Sequence, residues 1–255
     1  MYLDYIKQDD LGFTKLPDGR YFFRTSVLTA LLQCPYKLHF IAKNNTNDFQ
    51  KHIALIKGKA VHATTSFLIE MYKAGLIKDA VKLADKFIAN YLAETIKVYN
   101  KNVPNKQQLQ LLQNNIKIAA FNFAKYTFKN FKSYITEKTF IIDRDSFVLK
   151  LTPDLITEIG IIDYKTTSKP ITTRFYIPYD YALQMAIYSY YLAVDAQLLY
   201  YSFASNQLLL TKPGSFKNIE ERILRLVEIL ETNRLYKNTY ACATCFYRSM
   251  CMLQK

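Results

Sequence analysis

The stretch that decides the fold spans residues 147–165 and reads FVLKLTPDLITEIGIIDYK. Its apolar residues come in two short runs around a turn, which predicts two neighbouring β-strands. The first strand leads to Asp154, and the second ends in Asp163, Tyr164 and Lys165. Because successive side chains of a strand point to opposite faces, we expect Asp163 and Lys165 on one face and Tyr164 on the other.

These acidic and basic residues predict a metal site. If Asp154 lies on the strand beside Asp163, two carboxylates and the Lys165 ammonium group meet in one small volume. Carboxylate oxygens are ligands that Mg²⁺ and Mn²⁺ prefer. A neighbouring lysine can orient a metal-activated water, help to deprotonate it and offset charge on a phosphodiester transition state. A D-x-K triplet is common by chance, so its value depends on the rest of the chain.

The composition indicates one compact globular unit with a basic surface. The chain has 255 residues, half of them hydrophobic, and its 34 Lys and Arg outnumber its 21 Asp and Glu. This excess favours a polyanionic partner such as nucleic acid, although a generic basic surface explains it equally well. No secretory signal is visible, and polar residues interrupt the most apolar region, residues 181–204. We therefore expect a soluble, cytoplasmic protein with no membrane span.

Residues 25–134 are predicted to be mainly helical and to form a cap over the site. We expect Thr25 or Ser26 to cap the first helix and Pro35 to break it. In the next helix Gly58 and His62 are one turn apart on one face. The missing side chain of Gly58 is expected to let another backbone approach closely.

A later helix carries Gln184 and Tyr188, again one turn apart on one face. Two interpretations of this pair remain open. The pair can hold a substrate phosphate or support Lys165. Alternatively, it is a solvent-facing glutamine and a core tyrosine of an ordinary amphipathic helix.

The four cysteines are divided between the two ends of the chain. Cys242, Cys245 and Cys251 lie in a short polar tail, whereas Cys34 lies far upstream. In a reducing compartment a disulfide is the less favoured explanation. Four thiolates suit a [4Fe–4S] cluster or, alternatively, structural zinc. A shared centre would tie the first helix to the tail and restrict the unfolded chain.

This combination of motifs resembles the PD-(D/E)XK nuclease superfamily. Asp154, Asp163 and Lys165 match its signature, with Asp163 where glutamate is commoner. The G-x-x-x-H and Q-x-x-x-Y pairs resemble its RecB-like branch. The one-plus-three cysteine layout is similar to the iron–sulfur members of that branch, including the AddB nuclease domain and the iron–sulfur exonucleases of CRISPR adaptation. The resemblance covers nearly the whole chain, from Cys34 to Cys251.

The resemblance implies a role for each residue of these motifs. The implied catalytic residues are Asp154, Asp163, Lys165, Gln184 and Tyr188. The implied ligands of Mg²⁺ or Mn²⁺ are His62, Asp154, Asp163 and the backbone carbonyl of Tyr164. The implied ligands of a [4Fe–4S] cluster are Cys34, Cys242, Cys245 and Cys251. Without these motifs, His62 would more often be a packed helix histidine.

The implied fold is α/β and restriction-endonuclease-like. It has a central mixed β-sheet flanked by helices, an N-terminal helical cap and a cysteine-bound cluster that joins the N- and C-terminal parts. We expect a single nuclease domain over residues 1–255. Residues 25–134 form its helical part, residues 135–210 the PD-(D/E)XK core, and residues 211–255 the closing helix and cysteine segment.

The implied activity is that of a metal-dependent deoxyribonuclease. It would be an exonuclease on single-stranded DNA or DNA ends, with endonuclease activity as a further possibility, in DNA repair, recombination or CRISPR adaptation. No Walker P-loop is present, so the chain would act alone, as a homo-oligomer, or with a separate motor or integrase-like partner. Two alternatives are a non-catalytic nucleic-acid-binding or assembly subunit and a zinc-containing DNA-binding protein.

Overall fold

The computed structural model describes residues 12–41, 49–99, 104–173, 175–245 and 247–253. The α-helices of this part of the chain are α1 (Thr25–Gln33), α2 (Leu38–Ile41), α3 (Phe49–Lys73), α4 (Ile77–Tyr99), α5 (Lys106–Asn130), α6 (Tyr179–Leu192), α7 (Ile219–Glu231) and α8 (Arg248–Leu253). Short 3₁₀ turns cover Pro35–Lys37 and Thr239–Thr244. The strands are β1 (Phe13–Lys15), β2 (Tyr21–Arg24), β3 (Tyr134–Thr136), β4 (Phe140–Asp143), β5 (Phe147–Leu151), β6 (Leu155–Thr157), β7 (Gly160–Thr167), β8 (Ala196–Ser202) and β9 (Gln207–Thr211).

The described strands form two mixed sheets flanked by helices, which confirms the predicted α/β, restriction-endonuclease-like fold class. One sheet has the order β1-β2-β5-β4 and the other the order β3-β6-β7-β8-β9. The pairs β2–β5 and β7–β8 are parallel, and the remaining pairs are antiparallel. Where one central sheet was expected, the chain changes sheets between Leu151 and Leu155. Pro153 lies in this link, where its missing N–H group interrupts no strand ladder.

Strand β7 is the centre of the second sheet and separates two hydrophobic cores. Ile162 and Tyr164 belong to a core shared with α3, α4 and α5, whereas Ile161 belongs to a core shared with α1, α6 and α7. Asp163 and Lys165 have the same parity as Ile161, so they lie on the α6 side. The predicted alternation of side chains along this strand is confirmed.

The long helices α3, α4 and α5 cover the Tyr164 face of the sheet. Small residues such as Ala60, Ala84 and Ala120 are fully or almost fully buried in their common core, so the helices pack closely. Within the described ranges, no helix has both the length and the apolar character that a bilayer crossing requires.

Two expectations about the first helix have different outcomes. The predicted break is confirmed, because α1 ends at Gln33 and a new turn starts at Pro35. The predicted cap is wrong: α1 already begins at Thr25, and no side chain caps it. The Thr25 hydroxyl instead donates to the Lys150 carbonyl at 2.9 Å, which the pairing of β2 with β5 brings within reach.

The expected close approach at Gly58 is also wrong. A Cβ atom added there would have no heavy atom of the described residues within 4 Å beyond its own helix and chain neighbours. The close approach occurs at Gly160 instead, where the chain enters β7. Its φ is +128°, and an added Cβ atom would lie 2.2 Å from the carbonyl oxygen of Asp195. That oxygen also accepts a hydrogen bond of 2.7 Å from the N–H group of Ile161, so it is held against the glycine.

Gly160→Ala is therefore expected to lower the free energy of unfolding by about 2–4 kcal/mol, from backbone strain and from the clash with Asp195. Urea denaturation followed by circular dichroism measures the loss. Gly58→Ala is the matched control: it adds the same methyl group in open space within a helix, so stability should stay unchanged or rise by up to about 1 kcal/mol. Equal stability of Gly160→Ala and the wild type would contradict the close approach.

Candidate active site

The two acidic residues of the signature meet at β7. Leu155 of β6 pairs with Ile162 of β7 in antiparallel register, so Asp154, one residue earlier, lies level with Asp163. Both carboxylates are buried, with Asp163 2% and Asp154 9% exposed. The hairpin between β6 and β7 therefore places two acids side by side.

Asp154 is held by the helical cap and by its own sheet. Nδ1 of His62, on α3, lies 2.7 Å from Oδ1 of Asp154. Oδ2 accepts a hydrogen bond of 2.7 Å from the N–H group of Tyr164. Burial opposes charge on both side chains, but their mutual attraction outweighs it. This attraction raises the pKa of His62 and lowers the pKa of Asp154.

Asp163 is paired with Lys165, two residues along the same face. The Lys165 ammonium group donates to Oδ2 of Asp163 and lies 4.8 Å from the centre of the Tyr181 ring. Burial disfavours the charged lysine, but the two carboxylates outweigh it and raise the pKa of Lys165. Burial raises the pKa of Asp163, which the attraction of Lys165 offsets only in part.

The α6 pair lies against the same site. The Gln184 amide nitrogen donates to Oδ1 of Asp163 at 3.1 Å and to the Tyr188 hydroxyl at 3.0 Å. The Tyr188 hydroxyl in turn donates to the Thr152 carbonyl at 3.2 Å. Gln184 is therefore half-buried and bonded to an acid rather than facing solvent, while Tyr188 is also part of the core.

Tyr164 lies between Asp163 and Lys165 in the sequence but points to the opposite face of the sheet. Its ring stacks on Phe123 at 4.7 Å, and its hydroxyl lies 3.0 Å from that of Thr127 on α5. The side chain therefore anchors the strand to the helical cap. Its backbone N–H group, by contrast, contacts the site through the hydrogen bond to Asp154.

Sequence reasoning missed two residues that contact this site. The ring of Tyr181 lies against the Lys165 ammonium group, and the Thr152 carbonyl accepts a hydrogen bond from the Tyr188 hydroxyl. Tyr181 is three positions before Gln184 and therefore shares its helix face, so helical spacing could have identified it. Thr152 lies in the link between β5 and β6. Its contact with Tyr188 of α6 joins segments that are distant in sequence, so no local pattern predicts it.

The four cysteines lie at one place, between the end of α1 and the C-terminal tail. Cys34, Cys242, Cys245 and Cys251 all line one cavity of about 40 Å³. The N–H group of Asn238 donates to the Cys34 sulfur at 3.4 Å across a sequence separation of 204 residues. Asn238 also donates from its side chain to the Gln33 carbonyl at 2.8 Å. The tail is thus fastened to the first helix.

The surroundings of the thiols are cationic. Lys37, Lys237 and Arg248 line the same cavity. Burial raises the pKa of Cys251, the charge of Lys237 opposes this, and the other three cysteines add to it. Among the described residues, however, no group of three or more His, Cys, Asp or Glu side chains has the arrangement of a metal site, either here or at the two acids.

Comparison with known proteins identifies the family. No curated protein matches the sequence. The solved structure of SSO0001 is similar to this chain at 17% sequence identity, over 64% of this chain and 78% of that chain, with a TM-score of 0.38. The profile of the PD-(D/E)XK nuclease superfamily matches residues 25–252, a span that includes His62, both acids and all four cysteines. The chain belongs to the PD-(D/E)XK nuclease superfamily.

Proposed function

We propose that this protein is a metal-dependent deoxyribonuclease that hydrolyses phosphodiester bonds. The observation that carries the proposal is the meeting of Asp154, Asp163 and Lys165 at β7. In a chain of this superfamily, two buried acids beside a buried lysine are what phosphodiester hydrolysis needs. The formal charge of +13 suits a polyanionic substrate.

The donor set fits Mg²⁺ or Mn²⁺. Asp154, Asp163, the Tyr164 carbonyl and His62 would hold the ion, since the first three offer the oxygen atoms that hard cations prefer. When bound, such an ion activates water and stabilises charge on the phosphate. The two acids are already bonded to His62 and Lys165, so the protein holds them converged through contacts of its own.

The remaining side chains orient the reacting groups. Lys165, whose pKa is raised, stays protonated at neutral pH and donates to the phosphate oxygens as negative charge develops. A lysine held in this state suits charge stabilisation better than removal of a proton from water. Gln184 fixes the rotamer of Asp163, and Tyr188 fixes Gln184 through the chain of hydrogen bonds that ends at Thr152.

We infer further that the protein belongs to the RecB-like iron–sulfur branch and acts as an exonuclease on single-stranded DNA or DNA ends. The support is the common cavity of the four cysteines and the three cations around it, which would balance the negative charge of a cluster held by four thiolates. Cys34, Cys242, Cys245 and Cys251 would hold a [4Fe–4S] cluster with a structural role. It would fasten the tail to α1 at some distance from the chemistry.

A nuclease assay with defined DNA tests the activity. Labelled linear single strands, duplexes and flaps are incubated with Mg²⁺ or Mn²⁺, and circular single strands serve as the control without ends. We expect linear single strands to be shortened, circles to be spared, and EDTA to stop the reaction. Cleavage of circles would identify an endonuclease. Binding of DNA without cleavage in either metal would favour the non-catalytic subunit instead.

A further inference from the structure

A second cavity of about 340 Å³ lies beside the candidate active site. It is polar and is lined by Arg24, Thr25, Ser26, Lys150, Thr152, Gln184 and Tyr188. Gln184 and Tyr188 also belong to the hydrogen-bonded chain that reaches Asp163. The cavity and the active site therefore share a wall, and a strand of nucleic acid bound at one would pass the other.

Strand pairing places the two cations of this cavity side by side. Arg24 and Lys150 are register partners at the ends of β2 and β5, which run parallel, so their side chains leave the same face of the sheet. The Thr25 hydroxyl bonds to the Lys150 carbonyl and fixes the two strand ends together. Lys150 has no ion-pair partner among the residues that the structure describes.

The lining is that of an anion site. Two cations and four hydroxyl-bearing residues surround the space, and no carboxylate of the described residues lines it. Helix α1 begins at the same place without a side-chain cap, so its first N–H groups add donors there. Cationic side chains and hydroxyl groups are the usual partners of phosphate oxygens in nucleic-acid complexes.

We propose that this cavity binds a phosphate group of the substrate strand, next to the phosphate whose ester bond is hydrolysed. The proposal rests on the nuclease function proposed above and assigns Arg24, Lys150 and Ser26 to substrate binding. Gln184 joins the two places, so a phosphate held here sets the register of the strand at Asp163. That phosphate is either a terminal one or an internal one of the same strand.

Lys150→Gln tests the proposal. Fluorescence anisotropy in EDTA measures its binding to labelled single-stranded oligonucleotides that carry a 5′-phosphate, a 3′-phosphate or hydroxyl ends. We expect binding to weaken about 3–10-fold and the slope of log K against log salt to fall by about 0.7, the loss of one phosphate contact. In the nuclease assay kcat/KM should fall by a similar factor. Ser26→Ala should weaken binding in the same direction by a smaller factor.

Lys86→Gln is the matched control, because Lys86 is an exposed lysine of α4 that does not line the cavity. A loss confined to one phosphorylated end would identify a terminal phosphate, and an equal loss for all oligonucleotides would identify an internal one. Binding by Lys150→Gln that equals binding by Lys86→Gln for every oligonucleotide would overturn the proposal. The binding assay needs no cleavage, so it separates a failure of this proposal from a failure of the nuclease function.

Discussion

Asp163→Asn is expected to reduce metal-dependent DNA cleavage by at least about 10²–10³-fold. Asp163 is 2% exposed and contacts both Lys165 and Gln184, so its carboxylate is the most enclosed acid of the candidate site. Asparagine keeps the shape and can still accept from Lys165, but it removes the negative charge that holds a divalent cation. Initial rates on labelled single-stranded DNA, measured with Mg²⁺ and with Mn²⁺, give the factor.

Loss of the carboxylate also leaves Lys165 without a buried counter-charge, which costs stability. Thermal unfolding must therefore show that the variant is folded at the assay temperature. Asp85→Asn is the control, since Asp85 is an exposed acid of α4 that pairs with Lys117 at 2.8 Å. It should cleave like the wild type. Lys165→Ala belongs to the same test, and equal cleavage by Asp163→Asn, Lys165→Ala and the wild type would refute these roles.

Cys245→Ser is expected to remove the visible absorbance and the iron of anaerobically purified protein and to lower the free energy of unfolding by about 2–4 kcal/mol. The physical reason is the length of chain that the cysteines would close, since contacts at Cys34 span 204 residues. Absorbance spectra, iron and zinc content and urea denaturation measure the three effects. Cleavage by the folded fraction should change little, because the thiols lie outside the active site.

Ser249→Ala, an exposed position in α8, is the control for changes in the tail. It should keep the spectrum and the stability of the wild type. If the wild-type protein is colourless and contains stoichiometric zinc, the four cysteines hold structural zinc and not an iron–sulfur cluster. A Cys245→Ser variant that is fully stable but selectively inactive would show that the structural role is wrong.

The parts of the fold that follow local rules could be predicted from the sequence. Pro35 ends α1 because it lacks a backbone donor, and the parity of residues 161–165 divides them between two faces. The acids and Lys165 could be singled out because they occur on predicted strands together with the G-x-x-x-H pair, the Q-x-x-x-Y pair and the divided cysteines, whereas a D-x-K triplet alone is common. The common location of the cysteines followed from their chemistry rather than from any periodicity.

What the sequence could not supply depends on contacts between distant segments. The pairing of Arg24 with Lys150 needs β2 and β5 to run side by side, and their separation in sequence hides it. The same pairing gives the Thr25 hydroxyl a carbonyl partner, which is why its predicted role as a cap failed. Residues 58 and 160 are both glycine, and the sequence does not show which of them needs to lack a side chain. The position of the Asp195 carbonyl shows that it is Gly160.

Strand β7 has a consequence for how this sequence can change. Asp163 and Lys165 are directed at the site, while Tyr164 between them stacks on Phe123 and fastens the strand to α5. Substitutions at two adjacent positions are therefore expected to fail in different ways. At Lys165 the expected loss falls mainly on the proposed catalysis. At Tyr164 it falls mainly on stability, because the ring and hydroxyl contacts with α5 are lost.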